Sequence, residues 1–205
     1  MSGIEERAGD TLWRLVSASA SADVQERRFV VVDIDEASLA RLGPWPWPRE
    51  RLAELARRLA ALGARLQVYD VVLPDPRPGD AVLAAEFARH PVVLAQIFAL
   101  DPETPAAVGR PLGALKPDAP PCGPPLPQAT GFIANTPAFA VVEGLTAGHI
   151  TPRIARDGAV RRLPALICFE GRAYPALGLA ALTKAADVEP AWILAPGRTW
   201  LDPAW

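Results

Sequence analysis

Three aspartates stand where chemistry could start. Asp33 and Asp35 close the string Val30-Val31-Val32-Asp33-Ile34-Asp35, and Asp70 lies near the end of the second expected strand, Arg65 to Leu73. If both runs are strands of an open α/β sheet, these carboxylates lie at the C-terminal edge, where such sheets take their ligands. Oxygen ligands of this kind suit hard cations such as Mg²⁺ or Ca²⁺. A carboxylate at a strand end also serves plainer ends: it caps the next helix or pairs an arginine. Beside them stand Ser38 and a rigid turn, Gly43-Pro44-Trp45-Pro46-Trp47-Pro48, followed by Arg49. Two indoles and a guanidinium can face a planar or anionic ligand, or simply cover the sheet end. Arg49 is expected to pair with Asp35 or Asp70. The ligand-binding candidates are therefore Asp35, Ser38, Trp47, Arg49 and Asp70, with no catalytic group, metal ligand or cofactor assigned.

Other reactive side chains are few. The two histidines, His90 and His149, have no second histidine at metal-ligand spacing and read as surface or core-edge residues. Arg161 and Arg162 could hold an anion, but strand alternation would send one inward and one to water. Cys122 sits in a proline-rich stretch and Cys168 in an expected strand. Two cysteines make neither a metal site nor a disulfide framework. A bridge between them needs an oxidising compartment and close approach; otherwise the strand cysteine is a small buried apolar residue. The string ending in Asp33-Ile34-Asp35 also resembles the first motif of haloacid dehalogenase-type phosphohydrolases, in which one aspartate is the nucleophile and the second the acid/base. That resemblance implies a metal-dependent phosphohydrolase using Asp33 and Asp35. It stops at this motif: no Ser or Thr ends the second strand, and no later acidic pair follows.

The elements that would position these residues follow from periodicity. Ile4, Ala8, Leu12 and Leu15 fall at helical spacing, so 4–16 is an amphipathic helix, and 17–22 is a small, polar linker. Residues 29–32 form a continuous apolar run ending in Asp33-Ile34-Asp35, the pattern of a central parallel strand covered on both faces. Leu52, Leu55, Leu59 and Leu62 make one stripe of a helix that starts at Pro48 and ends at Gly63. Asp80 caps a helix through Arg89, and 91–97 is a third strand. The expected fold is α/β: a three-layer parallel or mixed sheet with helices on both faces. Residues 101–128 hold nine prolines and read as an extended surface loop or lid. The C-terminal half adds β-hairpins: 149–154 with 160–168, turned at Asp157-Gly158, and a last one over 192–201. A short strand at 131–135 precedes them. A helix over 174–186 buries Leu179 and Leu182.

Bulk composition narrows the class. The chain has 205 residues, half of them hydrophobic, and a net charge of −2, enough for a real core but with no basic footprint for nucleic acid. No stretch approaches the roughly 20 apolar residues that span a bilayer, and no signal peptide is visible at the start.

Several blocks together resemble one family. They are Val31 to Ser38, Leu42 to Arg49, Leu59 to Gly63, Tyr69 to Leu73, Asp157 to Pro164 and Tyr174 to Leu177. In this order they resemble the second class of CHASE domain, the cyclases/histidine kinases associated sensory extracellular domains. The resemblance implies a membrane-proximal helix and linker at 1–28 and an α/β sensory domain at 29–205. It implies a non-enzymatic, extracytoplasmic (periplasmic) input domain of a bacterial inner-membrane receptor. Its partners would be a small-molecule or protein signal, the receptor's own membrane helices, a cytoplasmic histidine kinase, nucleotide cyclase or Ser/Thr kinase, and a second copy in a homodimer. Family members normally run on through another α/β unit, so the chain is expected to be truncated at Trp205 or a short member.

Overall fold

The structure is a computed structural model that describes residues 3–19, 28–101, 106–116, 122–155 and 157–187. It divides into two compact units, Met1–Trp45 and Pro46–Trp205.

In the first unit, α1 (Gly3–Ser19) extends the expected 4–16 helix into the stretch read as a linker. Leu12, Trp13, Leu15 and Val16 are exposed along it. The run 29–35 forms no strand, and Val30 and Val31 are 85% and 90% exposed. Apolarity alone specifies cover, but a strand also needs a hydrogen-bonded neighbour; among the described residues this unit has no other strand. A charge at Val31 therefore meets none of the burial cost that a central strand would impose. Next comes α2 (Glu36–Leu42), capped by Asp35, whose Oδ1 accepts from the backbone N–H of Ser38 at 2.8 Å. Gly43 closes it with φ +89°, a left-handed value that favours glycine.

The second unit is built on a mixed sheet. β1 (Gln67–Tyr69) runs parallel to β2 (Val92–Ala99), in the register Tyr69 to Leu94. The third parallel member is not 29–35 but β5 (Thr146–His149), which pairs with Val93 to Gln96. β4 (Gly131–Ile133) runs antiparallel to the end of β2, and β3 (Ala107–Val108) is parallel to β4. β2 is buried almost throughout, as its unbroken apolar run requires in the middle of a sheet.

Helices cover both faces of that sheet. Val93 and Ala95 pack against Leu177 and Ala180 of α5 (Leu177–Ala186). The opposite face carries Gln67 and Tyr69. Gln67 Nε2 donates to the Ala56 carbonyl of α3 (Arg49–Ala61) at 2.8 Å. Tyr69 meets the Phe87 ring of α4 (Asp80–Phe87) edge-on at 5.2 Å. The buried stripe of α3 is Arg49, Leu52, Ala53 and Ala56 rather than the leucine series; Leu62 is exposed. In α5 the buried side is Leu177 and Ala180, and Leu182 points to water. Both corrections share a cause. Close helix packing selects small residues at the contact, and counting leucines overlooks alanines.

Among the described residues the C-terminal part forms two hairpins: a shortened form of the one expected over 149–168, and a second that was not expected. β6 (Arg153–Ile154) pairs with β7 (Val160–Arg162) around the Asp157-Gly158 turn. β8 (Leu166–Phe169) pairs with β9 (Arg172–Pro175). Glu170 and Gly171 both have positive φ, 47° and 73°, the backbone that a two-residue hairpin loop demands. The hairpin expected at 192–201 lies outside the described residues.

Candidate functional site

The Trp-Pro turn leads into α3, and Arg49 is its first residue. Its side chain is 2% exposed. Nε donates to Oδ1 of Asp80 at 2.7 Å, and Nη2 donates to the Asp75 carbonyl at 3.0 Å. The other oxygen of Asp80 accepts the Arg77 N–H at 3.0 Å. The expected partners of Arg49, Asp35 and Asp70, are thus replaced by Asp80. Asp80 is also not the cap of α4: Gly79, at φ +84°, holds that position. A buried guanidinium takes the carboxylate that comes with a complete set of hydrogen bonds, and Asp80 has that set. Trp47 is buried at 5%, and the Arg51 guanidinium lies 5.9 Å from its ring centroid. Arg49 therefore joins the starts of α3 and α4, with Trp47 buried just ahead of α3.

The other candidates lie elsewhere. Asp35 and Ser38 belong to the first unit, where they cap α2 and border an open depression with Ala37, Arg41 and Leu42. Hydrogen bonds from Ser38, side chain first and then backbone, hold the Asp35 carboxyl below the usual carboxylate range. Asp33 is exposed in the strandless stretch, so the strand-end geometry that a phosphohydrolase nucleophile requires is not formed there. Asp70 is exposed directly after β1. Among the described residues no three His, Cys, Asp or Glu side chains converge as a metal site.

Three features were not read from the sequence. Cys122 and Cys168 are joined in a disulfide with Cα atoms 5.5 Å apart. Cys168 is fully buried, and its backbone N–H and carbonyl bond Pro127 and Ala129. Two buried amides tie neighbouring segments together, and only the first of them, Gln96, reaches the proline-rich stretch. Gln96 bonds the Leu112 N–H and carbonyl at 3.0 and 2.8 Å. Asn135 links the Leu73 N–H to the Ala95 carbonyl at 2.9 and 2.8 Å. Leu115 donates to Ala173 at 2.8 Å. Residues 106–116 and 122–128 are therefore strapped to the sheet, not a free lid. The third feature is His149, expected at the surface or core edge. It is fully buried, and neither ring nitrogen has a hydrogen-bond partner. Burial pushes its imidazole down to about 4. Only the placement of β5 inside the sheet gives this away; the tetrapeptide Thr-Ala-Gly-His carries no such signal.

Among the described residues no helix is long and apolar enough to cross a membrane. No curated protein and no solved structure matches the chain. The CHASE2 domain model matches residues 1–201, nearly the whole chain. CHASE2 domains are extracellular sensory domains, which gives the chain a sensory input role. With its mixed α/β sheet and C-terminal hairpins, the chain belongs to the CHASE2 domain family.

Proposed function

We propose that this domain is the extracytoplasmic input module of a bacterial transmembrane receptor whose output is a kinase or a nucleotide cyclase. The observation that carries this beyond family membership is the Cys122–Cys168 bridge. Disulfides persist in oxidising compartments such as the periplasm and are rare in the cytosol. In this reading Trp47 and Arg49 are structural residues, and ligand contact at the strand edge falls to exposed Asp70. Signal relay runs through a homodimer, with α1 as the contact: Leu12, Leu15 and Val16 lie on one side of it and are all exposed.

Thiol labelling in cells making the full receptor tests the compartment. Cys122 and Cys168 resist a maleimide in the denatured protein unless a reductant is added first. Labelling without reductant would place the domain in a reducing compartment and end this reading.

A further inference from the structure

The orphaned imidazole of His149 sits at a mechanical junction. His149 is the last residue of β5. On one side its backbone is in register with Gln96 of β2; on the other it bridges Ala176, between β9 and α5. Its ring stands edge-on to Phe98 at 6.4 Å, and Phe98 in turn meets Tyr174 of β9 at 4.8 Å. The preceding residue, Gly148, lies so close to α5 that a Cβ there would fall 2.5 Å from the Leu177 Cα. The ring is held in a buried seam between the parallel sheet and the C-terminal hairpin and helix.

The four elements packed on that seam carry cations and no carboxylate between them; Glu170, in the loop before β9, acts on Tyr174 but is not among the causes that shift His149. β2 has no titratable side chain. α5 contributes only Lys184, whose Nζ donates to the Gly144 carbonyl at 2.9 Å. β9 carries Arg172 and the buried phenol of Tyr174. Segment 110–116, which lies against Ala147 at Gly113, carries Arg110 and Lys116. None of these four elements has a carboxylate to receive an imidazolium. A proton on His149 is therefore a buried, unpaired charge, which proteins relieve by opening to water.

We propose that acidity is a stimulus of this domain, read by His149: proton uptake parts β5 from β9 and α5. The proposal rests on the sensory reading above and names its ligand as the proton. The sign follows from the two states. The closed seam holds the imidazole near 4, and the open seam returns it to its ordinary value near 6.5. Between these values the open form binds more protons, so falling pH favours it. The open-to-closed ratio rises by about 80-fold from pH 6.5 to pH 4, out of a total of about 300-fold across the whole titration, and levels off below.

Amide hydrogen exchange on the 205-residue chain, corrected for intrinsic rates, tests this. In the wild type, protection of β5 and β9 falls steeply over that pH range while β1 stays protected. His149→Phe fills the seam without titrating and abolishes the fall; His149→Gln keeps a polar group and also abolishes it. His90→Gln, at the other histidine, leaves the fall intact. Should both His149 variants unfold, NMR titration of the wild-type imidazole carbons decides: a His149 resonance that titrates near 6.5 in the closed protein overturns the proposal. Constant protection in the wild type, or an acid opening that survives in His149→Phe, also overturns it. Failure here with bridged cysteines removes the proton as stimulus and leaves the sensory reading standing. Free cysteines in the receptor remove that reading without touching the exchange result.

Discussion

The Arg49 guanidinium bonds the Asp80 carboxylate at 2.7 Å and so ties the first residue of α3 to the first residue of α4. Both side chains are buried, so neither partner can be removed cheaply. Arg49→Ala or Asp80→Asn should each lower unfolding stability by about 3–5 kcal/mol. The double variant Arg49→Met, Asp80→Leu should cost much less than the two single losses together. Urea denaturation of all three, read as a double-mutant cycle, checks the coupling.

The disulfide closes a loop across a sequence separation of 46 residues. On the chain-entropy account a loop of this size stabilises by about 4 kcal/mol. Reduction, or Cys122→Ser with Cys168→Ser, should shift the urea midpoint down by an amount of that order. A midpoint unmoved by reductant would show that the Pro127 and Ala129 backbone bonds hold the strap unaided.

Two glycines should respond to alanine for different reasons. Gly148→Ala drives a methyl into the α5 backbone and should cost about 1–3 kcal/mol or more, as overpacking does. Gly158→Ala meets nothing within 4 Å, but its φ is +80°, and the left-handed backbone alone should cost about 1–2 kcal/mol. Thermal melts of the pair separate the two effects. Only the first should disturb the exchange protection of β5.

Asp157 should titrate abnormally despite its exposure. The Arg161 guanidinium, bonding it at 2.7 and 2.8 Å, and the Ala159 N–H hold its carboxyl well below the usual range. A depressed carboxylate adds stability above its unfolded pKa and loses it as pH falls towards the folded value. For a surface pair the effect is small. Arg161→Ala should return the Asp157 carboxyl towards its ordinary value, measurable by carboxyl-carbon NMR, with little change in melting temperature.

If α1 is the dimer contact, Leu12→Arg and Leu15→Arg should weaken self-association of the full receptor, while Ser17→Arg, on the opposite side of the helix, leaves it unchanged. Analytical ultracentrifugation in detergent reads the difference. Equal behaviour of all three would direct the search for a contact elsewhere.

Periodicity and turn chemistry made much of this fold legible. The apolar run at 92–97, the helix after Pro48 and the Asp157-Gly158 turn all stand where local patterns put them, because each is decided by its own neighbours. What pairs with what was harder. Residues 29–35 read as a strand, while 146–149, which pair with β2, carry no such reading beyond His149 as the start of a hairpin strand. The more apolar one forms none, while the small, glycine-containing one enters the sheet because α5 needs a close approach at Gly148. The site was less legible still. Arg49 stands out in the sequence as a ligand-binding candidate paired with Asp35 or Asp70, whereas its buried side chain pairs with Asp80, a partner that depends on the loop that brings Asp80 back to α3. The burial of His149 depends on three elements that meet only in the folded chain.

The pairing of β2 with β5 has a consequence for how the protein is born. β2 is complete by Ala99, yet the strand that covers its open side begins only at Thr146. Contacts so distant in sequence form late and slowly, because loop closure precedes the reward of burial. A chain emerging on the far side of a membrane would keep the α5-facing side of β2, Val93 and Ala95, uncovered until β5 and α5 arrive. Biogenesis, more than equilibrium stability, is then where this domain most needs a chaperone.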